Sequence, residues 1–246
     1  MTWLIAAAGV FATSLLSAVF GMAGGVVLLW LLISLFSVPV AMVLHGIIQL
    51  CANGYRCFLL REHIYGAALL PYAAGSLLAL GALVALAFVP DRALVLIIVG
   101  LVPVVTELLR PLVRLRIEHR PTALAAGAVC TGIQVVGVSG PLLDAFYAHS
   151  SLGRHQVVAT KALTQSLGHA VRIGYWLVFT GQMALQEIDA LLLVGLIVCS
   201  VLGTSLGRRM LDLLDDARFG RYTRILVLLL GLGCLGQGLW LLAAEA

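Results

Sequence analysis

Residues 43–56 read VLHGIIQLCANGYR, and residues 159–172, which lie 116 positions further along the chain, read ATKALTQSLGHAVR. Both stretches are apolar enough for a membrane helix, yet each carries polar and charged residues at helical spacing. The same offset aligns these residues in four pairs: Gln49 with Gln165, Arg56 with Arg172, His45 with Lys161, and Asn53 with His169. Unusual residues matched without a gap indicate that the chain consists of two related halves.

The composition places the whole chain in a membrane. Its 246 residues are 62% hydrophobic and 11% charged, with a mean hydropathy of +1.10, far from the balance of a soluble domain. Apolar runs of roughly 17 to 25 residues, enough to cross about 30 Å of hydrocarbon, recur along its length. We therefore predict an all-α polytopic membrane protein with no separate soluble domain.

Ten apolar segments are predicted as helices, which gives about eight to ten membrane segments. They are Thr2–Phe20, Gly25–Phe36, Pro39–Leu60, Ile64–Val89, Ala93–Leu109, Thr122–Val136, Pro141–Ser150, Gln156–Phe179, Ile188–Leu206 and Tyr222–Leu242. The second and seventh are too short to span comfortably. Each follows a glycine-rich break, GMAGG at 21–25 or GVSGP at 137–141.

Arginine clusters predict the orientation of the helices. Basic residues in short loops favour the cytoplasm, and arginines are concentrated at 110–120 and 208–224. If both connections are cytoplasmic, the remaining basic loops fall on the same side and both termini lie outside. Residues 1–116 and 117–246 then form two inverted repeats of about five segments each, joined by the basic cytoplasmic loop near 110–120.

The glycine breaks are candidates for the backbone part of a binding site. A helix that begins inside the membrane offers unpaired N–H groups and the positive end of its dipole to an anion. Inverted repeats with broken helices occur in secondary transporters, which bind substrate near the midplane. Ser139 or Gly140 is expected to cap the second broken helix, with Pro141 at its start. The candidates are Gly21, Gly24, Gly25, Gly137, Gly140 and Pro141; close packing through small residues is the alternative.

The polar stripes are candidates for the side-chain part. At about 100° per residue, the four polar residues of 159–172 share an arc of roughly 80°. A charge at the centre of a membrane helix costs about 2.5–3.5 kcal/mol, so such residues face a cavity or a counter-ion. The substrate-binding candidates are Lys161, Arg172, His169, Gln165, His45, Gln49, Asn53, Arg56 and Ser139. Asp144 is a candidate proton carrier or charge partner.

Ordinary structural roles remain open for the same residues. Arg56 lies near a helix end and could extend to the interface. Asp144 could form a structural pair with Lys161 or Arg172, and the glutamines could join neighbouring helices. Whether Lys161, the only lysine in the chain, contacts substrate or balances Asp144 is left undecided by the sequence.

The motifs also resemble a known family. GMAGG with the downstream HGIIQLCANGYR, then GVSGP with ATKALTQSLGH, are similar to the TauE/SafE sulfite-exporter-like permeases. The resemblance covers nearly the whole chain as two halves, each opened by a glycine-rich motif. It implies movement of sulfite or a small organosulfonate such as sulfoacetate across the bacterial inner membrane.

We therefore predict a secondary transporter, not an enzyme, that moves a small anion by alternating access in the bacterial inner membrane. Its expected partners are the anion and the lipid bilayer but not nucleic acid, and a homodimer is left open. No cofactor or metal is predicted, since the sequence has neither a CxxC pair nor a GxxxxGK[ST] loop. The alternatives are a non-transporting membrane scaffold and an intramembrane enzyme that uses His45, His149, His169 and Asp144.

Overall fold

The computed structural model describes residues 2–20, 23–110, 112, 114–180, 183–211 and 216–245. Within these ranges all regular structure is helical. The α-helices are α1 (Thr2–Phe20), α2 (Ala23–Leu35), α3 (Val38–Leu59), α4 (Leu69–Leu86), α5 (Arg92–Leu109), α6 (Arg120–Val136), α7 (Gly140–Tyr147), α8 (Arg154–Thr180), α9 (Met183–Gln186), α10 (Ala190–Leu211) and α11 (Asp216–Glu245).

Five stretches of the described chain are helices long and apolar enough to cross a membrane. They are Val38–Leu59, Gly66–Leu86, Arg92–Leu109, Ala190–Gly207 and Arg224–Ala244. α1 and α2 are also apolar but contribute only the shorter stretches Thr2–Ala18 and Gly24–Leu35. These helices confirm the predicted class, a helical protein of the membrane type.

The segment predicted at Ile64–Val89 is only partly α-helical. Two short 3-10 helices, Arg61–His63 and Gly66–Ala68, precede α4. The other end stops at Ala87, whose φ of 46° and ψ of 42° place it in the left-handed region. The Phe88 N–H then bonds back to the Leu83 carbonyl at 3.4 Å, which is the Schellman arrangement that ends a helix. Apolar character continues past this point, so hydropathy alone predicts a longer helix.

The arginine-rich connection predicted near 208–224 is largely helical. α10 continues to Leu211 and α11 begins at Asp216. Arg218 and Arg221 therefore lie in α11, and their placement in a loop was wrong. Arginine has a high helix propensity, so its charge marks where the apolar part ends but not where the helix ends.

Four long pairings organise the helices: α1 packs along α10, α4 along α6, α5 along α11, and α3 along α8. Glycines permit the closest approaches. A Cβ atom at Gly127 of α6 would overlap the backbone of Tyr72 in α4, and one at Gly203 of α10 would lie 2.5 Å from the Phe11 carbonyl of α1. Larger residues there would force the helices apart.

The two helices that carry the polar stripes, α3 and α8, run antiparallel. His63, just beyond the end of α3, has its ring centroid 5.2 Å from that of His155 at the start of α8. Conversely, His45 in the first half of α3 lies 5.5 Å, ring to ring, from His169 in the second half of α8. This pairing brings the two stripes face to face inside the protein.

Glu118 holds the loop before α6 to the loop before α8. Its Oε1 accepts the backbone N–H of Ser151 at 2.6 Å and the Ser151 hydroxyl at 2.8 Å. Burial raises the pKa of this carboxyl, but the hydrogen bonds from Ser151 and Ser150 outweigh it and lower the pKa to about 2. The ionised carboxylate is therefore the form that joins the loops.

Replacing Glu118 by glutamine is expected to lower the free energy of unfolding by about 1 kcal/mol at neutral pH. Since the folded pKa lies below that of unfolded glutamate, the carboxylate stabilises the fold above about pH 4.3, and the contribution is lost as the pH falls through the folded value. Thermal unfolding in detergent measures the difference in unfolding temperature between Glu118→Gln and wild type. This difference should shrink as the pH falls from about 4.3 to about 2. Glu62→Gln, at an exposed position, is the matched control, and equal unfolding temperatures for wild type and Glu118→Gln at neutral pH would contradict the assignment.

Candidate functional site

A small polar cavity lies where the facing stripes meet the starts of two other helices. Its volume is about 30 Å³, room for about two water molecules. It is lined by Ser17, Gly25, His45, Gln49, Asn53, Arg56, Gln134, Val138, Ser139, Gly140, Gln165 and His169. These described residues contribute a guanidinium, two imidazoles, four amides and two hydroxyls, but no carboxylate. Such a set is rich in hydrogen-bond donors.

Two helices begin at the cavity. Gly25 lies in the first turn of α2, and Gly140 is the first residue of α7. The first N–H groups of a helix have no partner within it and carry the positive end of its dipole. A Cβ atom at Gly25 would lie 3.3 Å from Gln49 Nε2, so a side chain there would crowd the lining.

The other residues of the glycine breaks serve the backbone and helix packing. Gly24 lets α2 approach α1, because a Cβ atom there would overlap the Thr13 carbonyl and the Ser17 hydroxyl. Pro141 occupies the first turn of α7, as predicted. Gly21 lies outside the described residues.

Ser139 stands immediately before α7, at the position of a helix cap, but its side chain does not cap the helix. Its hydroxyl instead donates to Gln134 Oε1 at 2.5 Å. Ser139 therefore holds the predicted cap position, but without a side-chain hydrogen bond to the helix. The hydroxyl is oriented towards Gln134, and its oxygen accepts no N–H group of the helix.

Arg172 is fully buried behind the cavity and is not part of its lining. Its Nε donates to the Gln134 carbonyl at 2.5 Å, and its two terminal nitrogens bond the Gly137 carbonyl and His45 Nδ1. A guanidinium donates only, so all three of these partners act as acceptors. Arg172 thereby ties α8 to α3 and to the break between α6 and α7.

These contacts define the protonation of His45. Because Arg172 can only donate, His45 Nδ1 must accept, and the ring proton belongs on Nε2. That nitrogen lies 3.0 Å from the Gly25 carbonyl, to which it donates. Both ring nitrogens are occupied, and the neutral ring joins α3 to the first turn of α2.

His169 differs from its neighbour. It lines the cavity and is only 5% exposed, yet its Nδ1 has no hydrogen-bond partner among the described residues. Its counterpart at the 116-residue offset, Asn53, places Nδ2 3.5 Å from Gln49 Oε1 on the other side of the cavity. The stripe on α8 therefore contributes a buried imidazole with an unused nitrogen.

Charged groups near the cavity fall into two sets. Arg56, half-buried in the last turn of α3, belongs to the lining. Lys161 instead forms an ion pair with Asp144 of α7, and their side chains are 18% and 32% exposed. Neither member of that pair lines the cavity. The cationic side chain that the described lining offers to a ligand is thus Arg56.

The structure brings together most of the candidates predicted from the sequence. His45, Gln49, Asn53, Arg56, Ser139, Gln165, His169, Gly25 and Gly140 all line one cavity. Lys161 and Arg172 lie beside it, engaged with protein partners. The sequence prediction missed Ser17, Val138 and Gln134. Gln134 is the central omission, since it bonds the Ser139 hydroxyl and the Gln165 carbonyl, and a lone amide in an apolar helix was its signal.

The residues of the alternative enzyme site are not all assembled. His149 is exposed and does not line the cavity that His45 and His169 share. Within the described ranges, no three His, Cys, Asp or Glu side chains are grouped so that they could hold a metal ion. The histidines at the cavity are instead engaged with arginine, backbone and each other.

Comparison with known proteins adds no family. The chain matches no protein-family model, no curated protein and no solved structure. The features on which a proposal can rest are helices of membrane-spanning length and a donor-rich cavity among the described residues.

Proposed function

We propose that the chain is a secondary transporter that moves a small anion, sulfite or a small organosulfonate, across the bacterial inner membrane. The observation that carries this proposal is the cavity at the starts of α2 and α7, whose described lining has a guanidinium and four amides but no carboxylate. An anion gains from the dipoles of both helix starts and from Arg56. A cation would meet positive potential without a counter-charge.

The lining offers donors for the three oxygens of a sulfite or sulfonate group. The Arg56 guanidinium presents a planar fork that matches two oxygens of an oxyanion. Amide groups of Asn53, Gln49 and Gln165 supply neutral donors around it, and backbone N–H groups at the start of α7 supply more. The identity of the anion rests on the resemblance to the sulfite-exporter-like permeases.

The helix pairings support two inverted halves, residues 1–116 and 117–246. In order along the chain, α1 to α5 correspond to α6, α7, α8, α10 and α11. Under this correspondence the packing of α1 against α10 matches the packing of α6 against α4. The other two pairs, α3 with α8 and α5 with α11, each join a helix to its own counterpart in the other half. Such a pattern is expected of halves related by a two-fold axis, and the antiparallel α3 and α8 suit an axis in the membrane plane.

In this proposal the protein works by alternating access, because the small cavity must enlarge before an anion can enter. Room for about two waters is too little for sulfite or a sulfonate, which have four or more heavy atoms, so this conformation is not the loaded one. The glycine breaks before α2 and α7 are the proposed hinges, opening the site to one face and then to the other. Both termini are assigned to the outside by the distribution of arginines.

Uptake by purified protein in liposomes tests the function. Labelled sulfite, methanesulfonate and acetate are each offered outside, with protein-free liposomes as the blank. We expect saturable uptake of sulfite or methanesulfonate, and exchange against the same anion loaded inside. Absence of uptake and exchange for all three anions would leave a scaffold role, whereas a stoichiometric bound metal that is lost on replacing His45 and His169 would favour the enzyme.

Arg56→Gln is expected to weaken binding of the transported anion by about 10- to 150-fold, the equivalent of about 1.5–3 kcal/mol for a hydrogen bond to a charged group. Because the side chain is only half-buried, the unfolding temperature should change little. The readouts are the half-saturating anion concentration and the anion-dependent rise in unfolding temperature. Arg61→Gln, on an exposed residue beyond α3, is the matched control, and equal affinity in Arg56→Gln and wild type would refute the assigned role.

A further inference from the structure

His169 is a buried titratable group that anion binding alone does not explain. It is 5% exposed, lines the cavity, and has an Nδ1 atom without a hydrogen-bond partner among the described residues. An unpaired buried polar atom costs about 1–3 kcal/mol, and such atoms in native structures call for an explanation. With Nδ1 as the unprotonated nitrogen of the neutral ring, proton binding would use its lone pair.

The surroundings of His169 make it the available proton acceptor at the cavity. On α3 its ring faces His45, Arg56 lines the same cavity, and on its own helix Arg172 lies one turn away. The lining from α6, from the break and from the first residue of α7 is neutral: Gln134, Val138, Ser139 and Gly140. His45 has no free nitrogen, since one donates to the Gly25 carbonyl and the other accepts from Arg172.

The second candidate for a proton carrier is already neutralised. Asp144 is paired with Lys161, and neither side chain belongs to the lining. A proton on Asp144 would leave Lys161 without its partner and would place no charge next to the anion. A proton on His169, by contrast, adds a positive charge at the cavity itself.

We propose that His169 takes up one proton when the anion binds, so that a monoanion crosses the membrane together with H⁺. This inference rests on the proposed transport function and deepens it by naming the coupling ion. The proton passes from water on one side to the free ring nitrogen, and it returns to water on the other side when the anion leaves. Only an N–H bond forms and breaks.

Coulomb interactions link the two ligands. In the empty site a charged imidazolium would stand one turn from Arg172, in a cavity that Arg56 also lines, with no carboxylate in the described lining to offset it. A bound anion supplies the missing negative charge. Anion binding and proton binding therefore favour each other, and by linkage each raises the affinity for the other by the same factor.

The test uses methanesulfonate, which stays ionised throughout, so that any pH dependence belongs to the protein. Its affinity for the full-length protein in detergent is measured from about pH 5.5 to about pH 8.5, the range in which histidines titrate. We expect the affinity to fall by up to about tenfold per pH unit on the alkaline side. In weakly buffered solution, binding should take up close to one proton per site.

His169→Gln should bind methanesulfonate with a flat pH profile and without proton uptake, and His169→Asn, which repeats the residue at position 53, provides a second variant. His149→Gln, at an exposed position outside the cavity, should behave as wild type. The proposal is overturned if wild type binds without proton uptake, as it would if His169 merely bonds a cavity water, or if His169→Gln still takes up a proton. In either of those outcomes anion transport stands, whereas failure of wild type to bind methanesulfonate, sulfite and acetate overturns both.

Discussion

Replacing Arg172 by methionine is expected to lower the free energy of unfolding by about 3 kcal/mol or more, because three buried acceptors lose their donor and each costs about 1–3 kcal/mol. The acceptors are the carbonyls of Gln134 and Gly137 and the Nδ1 atom of His45. Unfolding in detergent, followed by heat or by denaturant, measures the loss.

Two further variants identify the source of the effect. Arg172→Lys keeps the charge but lacks the fork of donors, so it should recover only part of the loss. Arg56→Met removes a guanidinium from the cavity lining, where the side chain is half-buried, and should change the unfolding free energy far less. Stability of Arg172→Met within about 1 kcal/mol of wild type would show that the backbone at the break does not depend on this side chain.

The pair of Lys161 and Asp144 gives the second large effect. Lys161→Met or Asp144→Asn alone should cost about 1–3 kcal/mol, less than the 3–5 kcal/mol of a fully buried pair, because both side chains keep partial exposure. The double variant removes both charges, so most of the loss should be recovered. The coupling energy comes from the four unfolding free energies of the cycle.

Anion transport by wild type, Lys161→Met, Asp144→Asn and the double variant decides between two roles for Lys161. It either balances the charge of Asp144 or contacts the anion. If Lys161 balances Asp144, the double variant should move the anion at close to the wild-type rate. If Lys161 holds the anion, the double variant should be as impaired as Lys161→Met, and the charge-balance assignment then fails. The ion pair, which lies outside the cavity lining, favours the first result.

Hydropathy predicts where the helices lie, and helical spacing predicts which face of α8 lines the cavity. Each of the ten predicted segments contains an α-helix, because apolar runs in a membrane protein have few alternatives to helix. Gln165 and His169, one turn apart, both reach the cavity as their spacing predicts. The inverted arrangement of the halves stays a prediction that the helix pairings support.

Spacing does not give the partners of a long side chain. Arg172 shares the predicted arc with His169, yet it reaches carbonyls exposed where α6 ends. Those carbonyls exist as acceptors only because the chain breaks at Gly137, and their position depends on packing between α6 and α8. The same limit applies to Lys161, whose partner Asp144 lies on a different helix.

Gln134 was missed for a related reason. It has no charged or amide partner at helical spacing in α6, so no stripe like those of α3 and α8 marks it. Its role depends on contacts with Ser139 and Gln165 across the break and across helices. A single amide in an apolar segment is therefore a candidate site residue even when it belongs to no polar stripe.

The small volume of the cavity has a consequence for the membrane potential. A water-filled pore lined by a guanidinium and amides would let anions run down their gradients and would discharge the membrane potential. In the proposed transporter, the cavity among the described residues holds about two waters and has buried residues such as Val138 and Ser139 at its wall, so it is a small pocket and not a wide pore. Such an unloaded protein can be abundant in a membrane without short-circuiting it.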